Sequence, residues 1–335
     1  MEVASYSLDA WHVTYISFEA AIALASVLGN VLVVWAVKLN HALRDTTFSL
    51  IVSLAVADIA VGALAIPAAV LVSLEIQTRF YSCLFGCCLL CILTQNSILS
   101  LLAIAIDRYL RVKMPVRYRS VIDHRCTCLA VTVCWVVPAI LGLLPMMGWH
   151  NKAILDEWAK GNDSTGPYIN CSFPLVMSMD YIIYFNFFGL ILGPLVIMTG
   201  LYFLVFDTIR RQLSYTQVAC KVSRKYYRKE MKLASSLALV LFLFAVCWIP
   251  LPIMNTVSFF CSTCSIPRPV LYFGILLSHA NSAVNPIVYA FKIQKFRITF
   301  KKIWHYYFVG MNNKDTSMPQ SSTLQSVGGE KSDSV

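Results

Sequence analysis

TTFSLIVSLAVADIAVGALAIPAAVLVS, residues 46–73, decides the fold. Its one ionisable side chain is Asp58, near the middle. About 20 apolar residues span the hydrocarbon core of a bilayer. Lipid cannot pair an exposed N–H or C=O, so a stretch this apolar must cross as helix. A carboxylate at its centre is costly there and has to face protein or a polar cavity. The segment therefore predicts a membrane helix that belongs to a bundle.

Working outward, segments of the same kind cover 13–37, 81–112, 126–147, 179–209, 233–260 and 270–291. With 46–73 they give an all-α membrane protein, a seven-transmembrane-helix bundle over 13–292. The third, fifth and sixth segments exceed what the hydrocarbon requires, so they tilt or project beyond it. The 335-residue chain is 58% hydrophobic and 13% charged, against about 45–50% and about 25% in soluble domains. Mean hydropathy is +0.67. Pro67, Pro138, Pro194, Pro250, Pro252 and Pro286 fall inside spans and should kink or locally unwind them.

The net charge of +10 does not point to nucleic acid, because the basic residues cluster between apolar runs. With the N-terminus outside, the outer segments hold Arg79, Lys152, Lys160 and Arg268, and the inner segments hold the other 23 of 27 basic residues. That asymmetry places the chain N-terminus outside and C-terminus inside. Residues 1–12 are then an extracellular segment without a basic leader, and the first helix serves as its own insertion signal. Asn162-Asp163-Ser164 is a glycosylation sequon in an outer loop. Ile293, Phe296, Phe300, Ile303 and Tyr307 recur at helical spacing opposite lysines and arginine, so 293–307 reads as an amphipathic helix on the inner leaflet. The Ser-rich remainder, 308–335, reads as a disordered cytoplasmic tail.

Polar residues within the spans fall into layers. Glu19, Thr94, Asn186, Asn255, Ser278 and His279 form an outer layer; Asn30, Asp58, Ser97, Asn281 and Asn285 form a middle one. An outward-opening polar layer suggests a small-molecule pocket between helices. The cluster around Asp58 suggests a cation or proton site. Each amide alone reads equally well as a helix–helix hydrogen bond of about 1 kcal/mol. Most of the 12 cysteines, including the CxxC of Cys88 and Cys91, lie in apolar runs and read as packing.

Several motifs carry a resemblance: GNVLV around Asn30, LAVADIAVG around Asp58, Asp107-Arg108-Tyr109, Trp135, CWIP at Cys247–Pro250 and NPIVY at Asn285–Tyr289. In this order across all seven spans, they resemble the rhodopsin-like G-protein-coupled receptors. LAIAIDRYLRVKMPVRY, LLPMMGW, CSF at 171–173, FLFAVCWIPLPIMN and LSHANSAVNPIVYAF make the chain similar to the adenosine receptors, within the inhibitory-coupled type-one and type-three branch. QTRFYSCL, ILTQNSILSLL and FKIQKFRITFKKIW favour type one, whereas Pro174 leans to type three.

The resemblance implies a receptor for adenosine or a related purine nucleoside that inhibits adenylate cyclase through a heterotrimeric G protein. Asn255 would grip the adenine with a donor and an acceptor side by side, and Phe173 would stack on it. Ser278, His279 and Thr94 would hold the ribose, with Glu19 orienting His279. Trp248, Leu251, Ile275 and Asn186 would complete the pocket. Asp58, Ser97, Asn281 and Asn285 would hold a sodium ion. Asp107, Arg108 and Tyr109, with Glu230 and Tyr289, would form the G-protein-coupling switch, Arg108 pairing at rest with Glu230. Receptor kinases and arrestin would act on the Ser-rich tail, and membrane lipid would surround the bundle.

Cys83 and Cys171 both face the outside and are expected to bond, as are Cys261 and Cys264. Leu90 and Cys91 stand where amine receptors place an aspartate, which disfavours a cationic amine in the outer pocket. Pro252 replaces the polar residue of the type-one and type-three receptors. No cysteine follows Cys264, which excludes lipidation after the amphipathic helix. A receptor of the same fold for another neutral ligand and a transporter are the competing readings. No HExxH, GxSxG or P-loop pattern supports an enzyme.

Overall fold

The computed structural model describes residues 10–40, 43, 45–74, 76–153, 155, 168–215, 221–261 and 263–305. Asn162, most of the segment 1–12 and the tail 308–335 lie outside them. The helices are α1 (Ala10–Leu39), α2 (Thr46–Ser73), α3 (Phe80–Lys113), α4 (His124–Gly142), α5 (Tyr181–Tyr215), α6 (Ser223–Phe260), α7 (Arg268–Lys292) and α8 (Gln294–Trp304). On length and composition α1 to α6 can cross a membrane. At 25 residues α7 is long enough as well. It is more polar because one face carries Ser278, His279, Asn281, Ser282 and Asn285, all of them buried.

The bundle is apolar outside and polar inside. Glu19, Asn30 and Asp58 are 0% exposed, whereas Leu24 is 61%, Phe203 72% and Phe242 62% exposed. Water would reverse that arrangement; lipid favours it, because the perimeter then meets hydrocarbon and the polar groups meet one another. Helix α3 is the centre, packing on α2, α4, α5 and α6, while α1 closes against α2 and α7. Two glycines let α1 come close to its neighbours. A Cβ on Gly62 of α2 would come 2.9 Å from the Ala23 carbonyl of α1, and one on Gly29 would come 3.0 Å from the Pro286 ring of α7.

The prolines act unequally. Pro67 follows a π-helical turn at Val61–Ala65, and Pro194 follows a π-helical run at Tyr181–Leu192. Proline withdraws a donor and crowds the preceding turn, and widening that turn accommodates it. Helix α6 is interrupted at Ile249, between Trp248 and Pro250. Helices α4 and α7 run unbroken through Pro138 and Pro286. At Pro286 the bare Gly29 opposite receives the ring.

Helices α5 and α6 extend beyond the apolar runs at 179–209 and 233–260, α6 through the charged stretch that includes Arg224, Lys225 and Arg228. Helix α4 stops at Gly142, short of the expected 147, and Leu144–Met147 forms a 3₁₀ turn. The outer end carries a small two-stranded antiparallel sheet of β1 (Gln77–Arg79) and β2 (Tyr168–Asn170), with Thr78 opposite Ile169. The disulfide Cys83–Cys171 fixes it to the start of α3, and Cys261–Cys264 closes the α6–α7 loop. Helix α8 occupies 294–304 of the expected 293–307 and buries Phe296, Thr299 and Ile303. Phe296 stacks on Tyr289 at 5.6 Å, which ties α8 to the end of α7.

Candidate functional site

Three polar layers lie along the bundle axis. In the outer layer Glu19 of α1 meets His279 of α7, with Nδ1 at 2.9 Å from both carboxylate oxygens. Both side chains are buried, so the imidazole is held in one orientation. Thr94 and Ser278 are buried and donate to carbonyls of their own helices, Leu90 at 2.8 Å and Ile275 at 2.7 Å. Gln95 donates to the Asn186 side chain at 2.9 Å, bridging α3 and α5.

Asn255 is half-buried on α6. Among the described residues nothing hydrogen-bonds its amide. Four residues earlier Leu251 reaches Gly274 of α7, which also receives Met254. Phe173 opens a one-turn helix, Phe173–Val176, beside the bonded Cys171. It packs on the cluster that includes Leu84, Cys91 and Tyr181. Trp248 stacks on Phe244 at 6.2 Å, below the α6 interruption. Ile275 is half-buried on α7. A cavity of about 360 Å³ elsewhere at the outer end is lined by His150, Lys152, Pro174 and Met179.

The middle layer closes around Asp58. Asn285 donates to its Oδ2 at 2.8 Å, and Ser26 donates to its backbone carbonyl at 2.8 Å. Asn30 donates to the carbonyls of Ser26 and Ser282, both at 2.9 Å, so three helices share the knot. Ser97 donates to Leu93 of its own helix at 3.2 Å, and Asn281 is buried on α7. The Asp58 Oδ1 atom is buried without a hydrogen bond. A buried carboxylate oxygen without a donor is chemically of the hard-oxygen kind that cations take as a ligand.

At the inner end Arg108 is 1% exposed and fully engaged. It meets Asp107 at 2.6 Å and Glu230 of α6 at 3.1 Å, and donates to the Thr47 hydroxyl of α2. Thr47 donates to Asp107 at 2.5 Å, and the Tyr118 hydroxyl donates to the other Asp107 oxygen. Tyr109 packs with Val112, Val205 and Tyr227 in the apolar cluster between α3, α5 and α6. Tyr289 is 1% exposed, and among the described residues its hydroxyl has no hydrogen-bond partner.

Thr47, Tyr118, Ser26 and Ser282 are functional neighbours that the sequence reading did not single out. Hydroxyls occur throughout membrane helices. For two of them the helical register was the only signal: Ser282 lies one turn before Pro286, and Thr47 is the second residue of α2.

The family described as 7 transmembrane receptor (rhodopsin family) matches residues 29–289. Over 300 residues the chain is 51% identical to adenosine receptor A3 of Ovis aries, spanning 90% of this chain and 92% of that protein. Adenosine receptor A3 of Canis lupus familiaris is 49% identical over 309 residues, 92% and 96% of the two chains.

Proposed function

The chain belongs to the rhodopsin family of seven-transmembrane receptors, and on that premise we propose that it senses adenosine outside the cell and inhibits adenylate cyclase through an inhibitory G protein. The observation that carries the proposal is the outer layer. One buried carboxylate, Glu19, fixes one imidazole, His279, while the Asn255 amide stands half-buried with its donor and acceptor uncommitted. A purine presents the complementary acceptor and donor on one edge, and a ribose presents hydroxyls that suit His279, Ser278 and Thr94. Half-identity to adenosine A3 receptors over nine-tenths of the chain supports the same ligand class.

Signal transfer follows from the inner end. The Arg108–Glu230 pair ties α3 to α6, and α6 is interrupted at Ile249, beside Pro250. A ligand that binds more tightly when α6 swings outward shifts the population to that state. The cleft so opened accepts a helix of the G protein. Sodium at Asp58, with Ser97, Asn281 and Asn285, would favour the closed packing. The N-terminus lies outside, and the tail faces kinases and arrestin.

Adenosine dosed against forskolin-raised cyclic AMP in transfected cells tests the reading. A fall is expected. Asn255→Ala should remove it, with nucleoside binding weakened at least about 100-fold, since the amide's two hydrogen bonds go together; surface expression should be unchanged. A rise, silence, or retained affinity in the variant rejects the proposal.

A further inference from the structure

His12, Tyr15 and Glu19 are spaced to share one face of α1, and Tyr272 and His279 to share one face of α7. The Tyr272 hydroxyl pairs with His12 Nε2 at 3.0 Å, and His279 Nδ1 meets Glu19 at 2.9 Å. Both pairs are 260 residues apart in the chain, so α1 and α7 run parallel and the two pairs are rungs of one register. Between the rungs Tyr15 stacks on Tyr272, with centroids 4.5 Å apart and planes at 22°. Tyr15 is buried, and its hydroxyl lies within hydrogen-bonding reach of Glu19. The signalling scheme above gives His12, Tyr15 and Tyr272 no part.

The inner rung needs a further hold. Glu19 is fully buried, and a carboxylate there is tolerated only when its oxygens are engaged. His279 Nδ1 stands 2.9 Å from both of them. One N–H shared equally between two acceptors lets the carboxylate swing, and the imidazole swings with it. A second donor on the carboxylate removes that freedom. Tyr15 is placed to be that donor. Its stack on Tyr272 sets where the hydroxyl stands, because an offset aromatic pair prefers a defined geometry. Tyr272 is pinned in turn by His12.

We infer that His12, Tyr272 and Tyr15 are positioning residues for the sugar half of the ligand: the stack sets the Tyr15 hydroxyl on Glu19, and Glu19 then aims His279. The inference rests on the adenosine reading and deepens it, because it makes the α1–α7 register the source of discrimination between a nucleoside and its bare base. The purine edge is held from α6, by Asn255, so a fault in this relay should reach the sugar and spare the base. Packing alone predicts otherwise. A stack that served only to join two helices would, on its loss, weaken every ligand alike.

Competition binding on membranes from cells expressing the full chain tests the relay with two probes. One is adenosine; the other is 9-methyladenine, which keeps the purine edge and lacks the sugar. Tyr15→Phe keeps the stack and deletes the hydroxyl. Adenosine affinity should fall about fivefold, the worth of one hydrogen bond, while 9-methyladenine stays within about twofold. In the Glu19→Gln background the same substitution should cost adenosine less than about twofold, because residues that act through one another are not additive. His12→Leu should lower adenosine affinity about threefold, and His12→Gln, which can still pair with the Tyr272 hydroxyl, should restore it. Equal losses for both probes, unchanged adenosine affinity in Tyr15→Phe, or full additivity with Glu19→Gln overturns the relay. If Tyr15→Phe does not reach the surface, the His12 variants decide, and equal affinities in His12→Leu and His12→Gln overturn it. These outcomes leave the adenosine reading standing. Adenosine that fails to bind the parent rejects that reading, and the relay with it.

Discussion

The two ends of the bundle use similar side chains to opposite effect. At the inner end Arg108 is wrapped by Asp107, Glu230 and Thr47, and Tyr118 takes up the remaining Asp107 oxygen. The buried charges there are matched within the protein. At the outer end, among the described residues, only the Glu19–His279 pair is closed in this way. Thr94 and Ser278 turn their hydroxyls back to their own helices, and Asn255 holds nothing among the described residues. Breaking a buried ion pair costs about 3–5 kcal/mol, whereas redirecting a hydroxyl costs about 1 kcal/mol. One end is therefore latched and the other receptive. A ligand can bind at the receptive end with little rearrangement, but it opens the latch only through the difference in its affinity for the two states.

The sharpest way to break this contrast is Glu19→Gln. If the outer pair exists to aim His279 at a ligand, nucleoside affinity should fall about 10- to 30-fold, corresponding to about 1.5–2 kcal/mol for a hydrogen bond to a charged group. Competition binding measures it, with basal signalling as control. Unchanged affinity together with raised basal signalling would make the pair a second latch and erase the distinction.

Glu230→Gln probes the other end. It removes the charge facing Arg108 and keeps an acceptor, so the closed state should lose about 1 kcal/mol and basal nucleotide exchange should rise about fivefold. A guanine-nucleotide binding assay reads this directly. A silent variant would assign the closure to Asp107 and Thr47 alone.

The contrast was only partly legible in the sequence. The spans and their order were plain, because about 20 apolar residues in lipid have one viable structure. Glu19, Asp58 and His279 stood out because ionisable groups in such spans are rare. The sheet of Gln77–Arg79 and Tyr168–Asn170 was missed: three-residue strands are too short to show alternation, and pairing between strands with two helices between them in sequence is a tertiary fact. Ser26, Thr47 and Ser282 were missed because a hydroxyl in a helix declares itself only through its partner. The inner ends of α5 and α6 ran past their expected limits because helix continues where apolarity stops. Pro138 and Pro286 do not unwind α4 and α7; at Pro286, Asn30 donates to the Ser282 carbonyl that the proline leaves without its helical donor.

Between the two ends, Asp58 offers a smaller test. Its Oδ1 is buried without a hydrogen bond while Oδ2 is held by Asn285. If a sodium ion completes that oxygen, sodium should lower agonist affinity, and Asp58→Asn should abolish the shift, about twofold to fivefold or about 0.5–1 kcal/mol. Radioligand binding with sodium or a large organic cation as counter-ion measures it. Persistent sodium sensitivity would move the ion elsewhere and leave the middle layer as packing between α1, α2 and α7.

The smallest expected effect asks whether the inner end is held by its buried core or also by its rim. Asp45 belongs to the rim. Burial raises its carboxyl, but Arg111 and the Thr46 N–H outweigh that and set it below the ordinary range. A depressed folded-state value stabilises the fold above the unfolded-state value of about 3.9. The contribution is lost as pH falls through the lower folded-state value. Acidifying the detergent-solubilised receptor from neutral to below about pH 4 should therefore lower its Tm by a component that Asp45→Asn lacks. The side chain is 42% exposed, so solvent screening keeps that component small, about 1 °C in the difference between the two pH profiles. Parallel profiles would confine the inner latch to Arg108 and its buried partners, and would make the Asp45–Arg111 contact a surface pair without weight in the fold.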